Sequence, residues 1–248
     1  MNATTIVERS AYWQCTRAAW LSLWRMPAYT LPTLLFPIGF YAFFGLIMNP
    51  EFARWMLATF ATFGIVGTAL FAFGVSVAME RSQGWWLLLR AAPTPFAAVL
   101  AGKLVSVMVF ALIIVLAMAW LAAAFGDVRM ETSQWFAMLA VLILGTLPFS
   151  VLGLAMGLWL SPNAAPAVIN IIYLPMAVLS GLWIPVTRLP EVIQGVAVWL
   201  PPYHLAGLAL HVSGTQAGQW VQHSIALLVF SVISAGLAAL AWRGFKGA

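Results

Sequence analysis

Six long apolar runs constrain this chain more than any motif in it: residues 28–48, 55–79, 104–125, 135–160, 164–183 and 220–242. A helix needs roughly 20 mostly apolar residues to cross a bilayer, and each run is of that order. None alternates with period two, and lipid offers no water to unpaired backbone groups, so helices are expected rather than barrel strands. Composition agrees, with 64% hydrophobic residues in 248 and a mean hydropathy of +1.00. A soluble fold of this size has too little polar surface to cover so much apolar surface. The expected class is an all-α polytopic integral membrane protein with six transmembrane helices, forming a single transmembrane domain over residues 1–248. Pro32, Pro37, Pro148 and Pro175 fall inside spans and are expected to kink them. The fifth span is the shortest, and Pro162, Pro166 and Asn170 crowd its start.

Loop charges orient the spans. With the N-terminus inside, eight of the eleven Lys and Arg residues lie on the cytoplasmic side, against Arg54, Arg129 and Arg188 outside. Such an imbalance sets topology, and an even number of spans brings the C-terminus inside as well. The net charge of +5 and pI of 9.9 then fit anionic lipid headgroups, not nucleic acid. Residues 1–26 carry Glu8, Arg9, Arg17 and Arg25 with no apolar core, so a cleaved leader is not expected. On a helix, Ile6, Trp13, Trp20 and Trp24 form one stripe flanked by Arg9 and Arg17, the pattern of an interfacial helix over residues 1–27. The outer segment 184–219 mixes Pro185, Pro190, Pro201 and Pro202 with apolar runs at 192–200 and 205–212. Those runs are too short to cross and fit re-entrant or interfacial helices.

What is missing narrows the chemistry. No span interior contains Asp, Glu, Lys or Arg, which argues against ion-coupled secondary transport. Gly102-Lys103 is followed by Leu104, and Ala97 stands where a phosphate-binding loop would need its first glycine, so nucleotide hydrolysis is not expected here. His204 and His211, seven residues apart, share a helical face, with His223 further on. They read as interfacial histidines, because further ligands and supporting carboxylates are lacking; no metal site is expected. No nucleophile motif surrounds a serine, Cys15 is the single cysteine, and no catalytic residue is assigned. Gly153 and Gly157 make a small-xxx-small pattern that serves either a dimer contact or packing within the chain. The many Phe residues of the first two spans suit lipid or, more weakly, a path for an amphipathic solute.

The polar break at residues 80–103 needs a reason in a chain with 7% charged residues. It is too polar to cross a bilayer, yet Trp85-Trp86-Leu87-Leu88-Leu89 is too apolar for water. It reads as an amphipathic helix over residues 81–92, stopped by Pro93 and Pro95 and lying across the cytoplasmic end of the bundle. Its apolar side suits lipid or a partner's groove. Glu80, at the foot of the second span, is placed to pair with a cation or accept from backbone amides.

These residues carry a resemblance. Glu80, Gly84, Leu88, Pro93 and Gly102-Lys103 resemble the loop after the second span in membrane subunits of ABC exporters of the type-2 class. Leu179-Ser180-Gly181-Leu182-Trp183-Ile184-Pro185, followed by Leu189-Pro190, Leu200-Pro201 and Tyr203, is similar to that family's pattern near the fifth span. The resemblance implies two six-span subunits, a homodimer or a pair of homologous permeases, in a bacterial-type inner membrane. Two cytoplasmic ATPase subunits would bind ATP and Mg, leaving this chain without a cofactor. It implies coupling to the ATPase through Glu80, Arg81, Gly84, Leu88 and Arg90, and an outer gate shaped by Ser180, Gly181, Pro185 and Pro190. The substrate path would run between spans two and five. Trp85-Trp86 departs from the small and polar residues usual after the glycine. The function expected is export of an amphipathic or hydrophobic solute such as a drug, lipid or glycolipid. The alternatives are an assembly or scaffold subunit of the same fold, or an ATPase-independent secondary carrier or membrane enzyme. Glu80→Ala is expected to spare folding and uncouple hydrolysis from export.

Overall fold

The computed structural model describes residues 3–91, 94–216 and 218–246, and all regular secondary structure among them is helical. The chain opens with α1 (Ala3–Trp24) and α2 (Pro27–Phe40), the latter prolonged by a wider π-helical stretch, Tyr41–Met48. Pro27 at the first helical position separates the two, because a proline disfavours helix at the preceding residue. There follow α3 (Ala53–Ser82), α4 (Trp85–Ala91), α5 (Phe96–Phe125) and α6 (Thr132–Trp159). Next come α7 (Ala165–Leu179), α8 (Glu191–Ala197), α9 (Pro201–Val212) and α10 (Trp220–Lys246). A capping box starts α6, with Glu131 and Gln134 satisfying each other's backbone amides.

Among the described residues, five helices are long and apolar enough to cross a membrane, within Tyr29–Met48, Pro50–Ser82, Phe96–Phe125, Thr132–Trp159 and Trp220–Gly244. The fifth expected span, 164–183, differs. Only Ala165–Leu179 is helical, and its 15 residues reach about 22 Å against a hydrocarbon layer of about 30 Å. Gly181 adopts φ +75° just beyond it, the left-handed conformation that ends helices.

Helix α3 is the axis of the bundle: 89% of its most apolar window is buried, against 17% for the corresponding windows of α2 and α10. Leu228, Val229, Val232 and Ile233 of α10 face outward, as do Leu116 and Trp120 of α5. Such surfaces suit lipid, where an apolar side chain loses nothing by facing out.

The closest seam joins α3 to α6. A Cβ on Gly157 would lie 2.7 Å from the Gly74 carbonyl oxygen, and one on Gly153 would lie 3.1 Å from the Ala69 carbonyl oxygen. Gly153 and Gly157, named above as a dimer contact or an internal one, lie close against α3 of the same chain. Helix α1 lies along α5, with Trp20 on Phe110 at 5.0 Å between centroids, while Trp13 is exposed. The side chains of Ile6 and Arg9 lie outside the described residues.

Candidate functional site

The polar break is organised differently from the single helix expected over 81–92. Helix α3 runs on to Ser82, a turn at Gly84 follows, and α4 occupies only the seven residues Trp85–Ala91. Residues 96–103 belong to α5. The cause is local: Gly84 takes φ +73°, accessible at little cost only to glycine, and Pro95 provides the extended N-cap of α5. Pro93 lies outside the described residues, as does the side chain of Arg90.

Glu80 does pair with a cation. Its Oε1 accepts from Lys103 Nζ at 2.5 Å and its Oε2 from Trp86 Nε1 at 3.3 Å, joining α3, α5 and α4. Lys103 is 8% exposed, one of the few charged groups withdrawn from solvent. Arg81 turns to α6 instead, donating to the Leu158 carbonyl and, at 2.8 Å, to the Leu160 carbonyl. It thereby satisfies the free carbonyls at a helix end. Glu80→Ala therefore touches the fold as well as any coupling, since it strips a buried ammonium of its counter-charge.

Within α4, one tryptophan turns in and its neighbours turn out. Trp86 is buried against Phe96 and Trp242, at centroid distances of 5.1 and 5.7 Å. Trp85, Leu87 and Leu88 remain exposed. The same helix is thus anchored on one face and presents apolar side chains on the other.

A groove of about 670 Å³ opens between α2, α3 and α7, bounded at one end by Leu23 and Met26. Its walls include Tyr29, Phe36, Phe63, Phe71, Asn170 and Tyr173, and among the described residues no charged side chain. Both tyrosine hydroxyls are already used: Tyr173 donates to the Phe63 carbonyl at 2.8 Å and Tyr29 to the Thr68 carbonyl at 3.3 Å. The groove therefore offers aromatic and aliphatic contact with few free polar groups. Of the Phe residues singled out in the first two spans, Phe36, Phe63 and Phe71 reach it, whereas Phe60 and Phe73 are core.

The far end of the bundle holds α8 and α9. Ser180 is buried and its hydroxyl has no partner, and Trp183 Nε1 is buried and unpaired as well. The Trp183 ring packs on Phe63 at 5.6 Å, against the groove wall. Pro185 and Pro190 provide the extended N-caps of a short 3-10 turn, Val186–Arg188, and of α8. His204 pairs with His223 of α10, Nδ1 to Nδ1 at 2.9 Å, rather than with His211. Since a carbonyl only accepts, His204 Nε2 donates to Val198 O at 2.9 Å, so His204 Nδ1 accepts the proton carried by His223. Burial holds the His204 ring below the usual histidine range. Among the described residues, no three His, Cys, Asp or Glu side chains are grouped as metal ligands.

Sequence reasoning passed over Ser76, and it named Lys103, Trp86 and His223 without giving them these partners. The available signal was charge economy: a lone acid at one end of the break and a lone lysine at the other.

Five membrane-length helices among the described residues, one of them the buried axis, with an uncharged groove in their side, define a multi-pass membrane protein. Residues 10–213 match the family described as ABC-2 type transporter, and the chain belongs to that family as a transporter membrane subunit. It is also similar to the "Putative transport permease YvfS" of Bacillus subtilis (strain 168), 28% identical over 182 residues, covering 71% of this chain and 74% of that protein.

Proposed function

We propose that this chain is the six-span permease of an ATP-driven exporter, acting as a pair of copies with two cytoplasmic ATPase subunits that bind ATP and Mg. It moves an amphipathic or hydrophobic solute, of the kind represented by drugs, lipids and glycolipids, out of the cytoplasm. The observation that carries this reading is the pairing of two features: the uncharged groove between α2, α3 and α7, and the exposed apolar face of α4 at the same end as the Glu80 ion pair. Trp85, Leu87 and Leu88 form the face that seats in an ATPase groove, hinged at Gly84.

Residues 1–248 form one membrane domain in a bacterial-type inner membrane, with both termini cytoplasmic and α1 in the cytoplasmic interface. Helix α7 is the fifth span, its short reach met from outside by re-entrant α8 and α9. Ser180, Gly181, Pro185 and Pro190 shape the gate there. Family membership supports a transport subunit over an enzyme.

Gentle purification of the tagged protein from native membranes, with mass spectrometry of what accompanies it, tests this reading. An ATPase recovered in equal amount is the expected result; a clean complex without any ATPase overturns it. The same fold acting as an assembly subunit is separated by Phe71→Ala and Tyr173→Ala, which change substrate preference only in a true exporter.

A further inference from the structure

Glu80 uses its two carboxylate oxygens on two different helices, Lys103 of α5 and Trp86 of α4. Lys103 carries the contact one step further, donating to Ser76 Oγ at 3.0 Å. Ser76 borders two spaces at once. One is a cavity of about 20 Å³ between α1, α3 and α5, lined also by Ser22, Glu80 and Lys103 and the size of a single water. The other is the large groove itself. A contiguous series, Trp86 to Glu80 to Lys103 to Ser76, therefore runs from the anchored face of α4 to the groove wall. Trp86 also packs on Phe96 and Trp242, so the residue that donates to Glu80 is the one that anchors α4. A buried ion pair is weak evidence for stability, and fixing one arrangement among alternatives is its best-attested use.

We propose that Lys103 and Ser76 are positioning residues that carry a displacement of α4 to the wall of the groove. This rests on the permease reading above and names the route within it. The route is physical, through touching side chains, and so can be interrupted at single atoms.

The test uses the complex purified with its ATPase. Cys15→Ser makes this chain cysteine-free, and Asn170→Cys places one thiol on the exposed rim of the groove. The rate of maleimide labelling at that thiol is measured with and without Mg-ATP and vanadate. Nucleotide changes the rate in the parent. Lys103→Met and Ser76→Ala shrink that change about fivefold or more while the ATPase still copurifies. Lys103→Arg restores it, because arginine keeps the charge and can donate to both Glu80 and Ser76, which a merely structural defect would not allow. If Lys103→Met does not assemble, Ser76→Ala and Lys103→Arg decide by the same readout. A full nucleotide response in Lys103→Met or Ser76→Ala overturns this inference alone, as does a parent rate that nucleotide leaves unchanged. Absence of any copurifying ATPase overturns the permease reading and the route with it.

Discussion

At the α4 end of the bundle, Glu80 and Lys103 join α3 to α5 as full charges; at the α9 end, His204 and His223 join α9 to α10 as rings sharing one proton. The ionic clasp skips over α4 and the histidine clasp joins neighbouring helices, and both are withdrawn from solvent. They differ in what undoes them. The ionic clasp depends on complementary charge, so removing either partner leaves the other in a poorly solvating place. The histidine clasp depends on one ring accepting what the other donates. Protonating both rings sets two N–H groups against each other across 2.9 Å. The α4 end is the one proposed to transmit displacement, and the α9 end is joined only while its rings stay neutral.

The strongest break in this comparison comes from Lys103→Met. Leaving the Glu80 carboxylate without its ammonium is expected to cost about 3 kcal/mol, the lower part of the range for broken buried pairs, because Glu80 is partly exposed. Thermal unfolding in detergent measures it, and a loss below about 1 kcal/mol would mean that water already serves the pair.

Acidification probes the other end and is the next largest effect. His204 is held below its ordinary value by burial, so the unfolded chain takes up the proton first as pH falls through about 6.5. Its contribution is complete above that pH and is lost below it. About 1 kcal/mol, the worth of one hydrogen bond, is expected to disappear between pH 8 and pH 5. Amide exchange in α9 should rise in step, and the pH dependence should vanish in His204→Phe. Persistence of the dependence in that variant would assign it elsewhere.

Gly84→Ala is expected to cost about 1 kcal/mol. Nothing lies within 4 Å of a Cβ there, so the penalty is that of a left-handed φ for an L side chain alone. Gly84→Asn should recover part of it, and equal losses for both would point to a contact instead.

Leu88→Ser should be the mildest for the fold, within about 0.5 kcal/mol, because the side chain is exposed. Its expected effect is on recovery of the ATPase, which drops. Trp199→Ser, more exposed still and at the other end, should change neither stability nor recovery. A drop in both would erase the distinction between the two ends.

Much of the fold was legible because the spans advertise themselves by length. Residues 28–48 and 220–242 were placed almost to the residue, and the short apolar runs of segment 184–219 do form helices α8 and α9. Two helix ends differ from the ends of the apolar runs. Hydropathy counts Ser180, Gly181 and Leu182 as part of an apolar run, although the glycine ends the helix there, and its C-cap signature was the available cue. Residues 96–103 were assigned to the polar break because Lys103 is charged, yet a lysine whose charge is matched by Glu80 is no obstacle to helix α5. Helical spacing put His204 beside His211, but the partner came from α10, which no periodicity within α9 can report.

The sequence by itself determined the class: apolar runs of span length must be helices, because lipid leaves backbone groups no other partner. It also marked Glu80 as a group needing a partner, a cation or backbone amides, without saying which. Which lysine answers it, which tryptophan anchors α4 and which helices wall the groove were decided only by tertiary packing. The reason is that an apolar side chain in a membrane gains almost nothing by choosing protein over lipid, so hydropathy carries no information about which face packs inward. That choice is made by close fits such as Gly157 on Gly74 and by the few polar groups that must find each other.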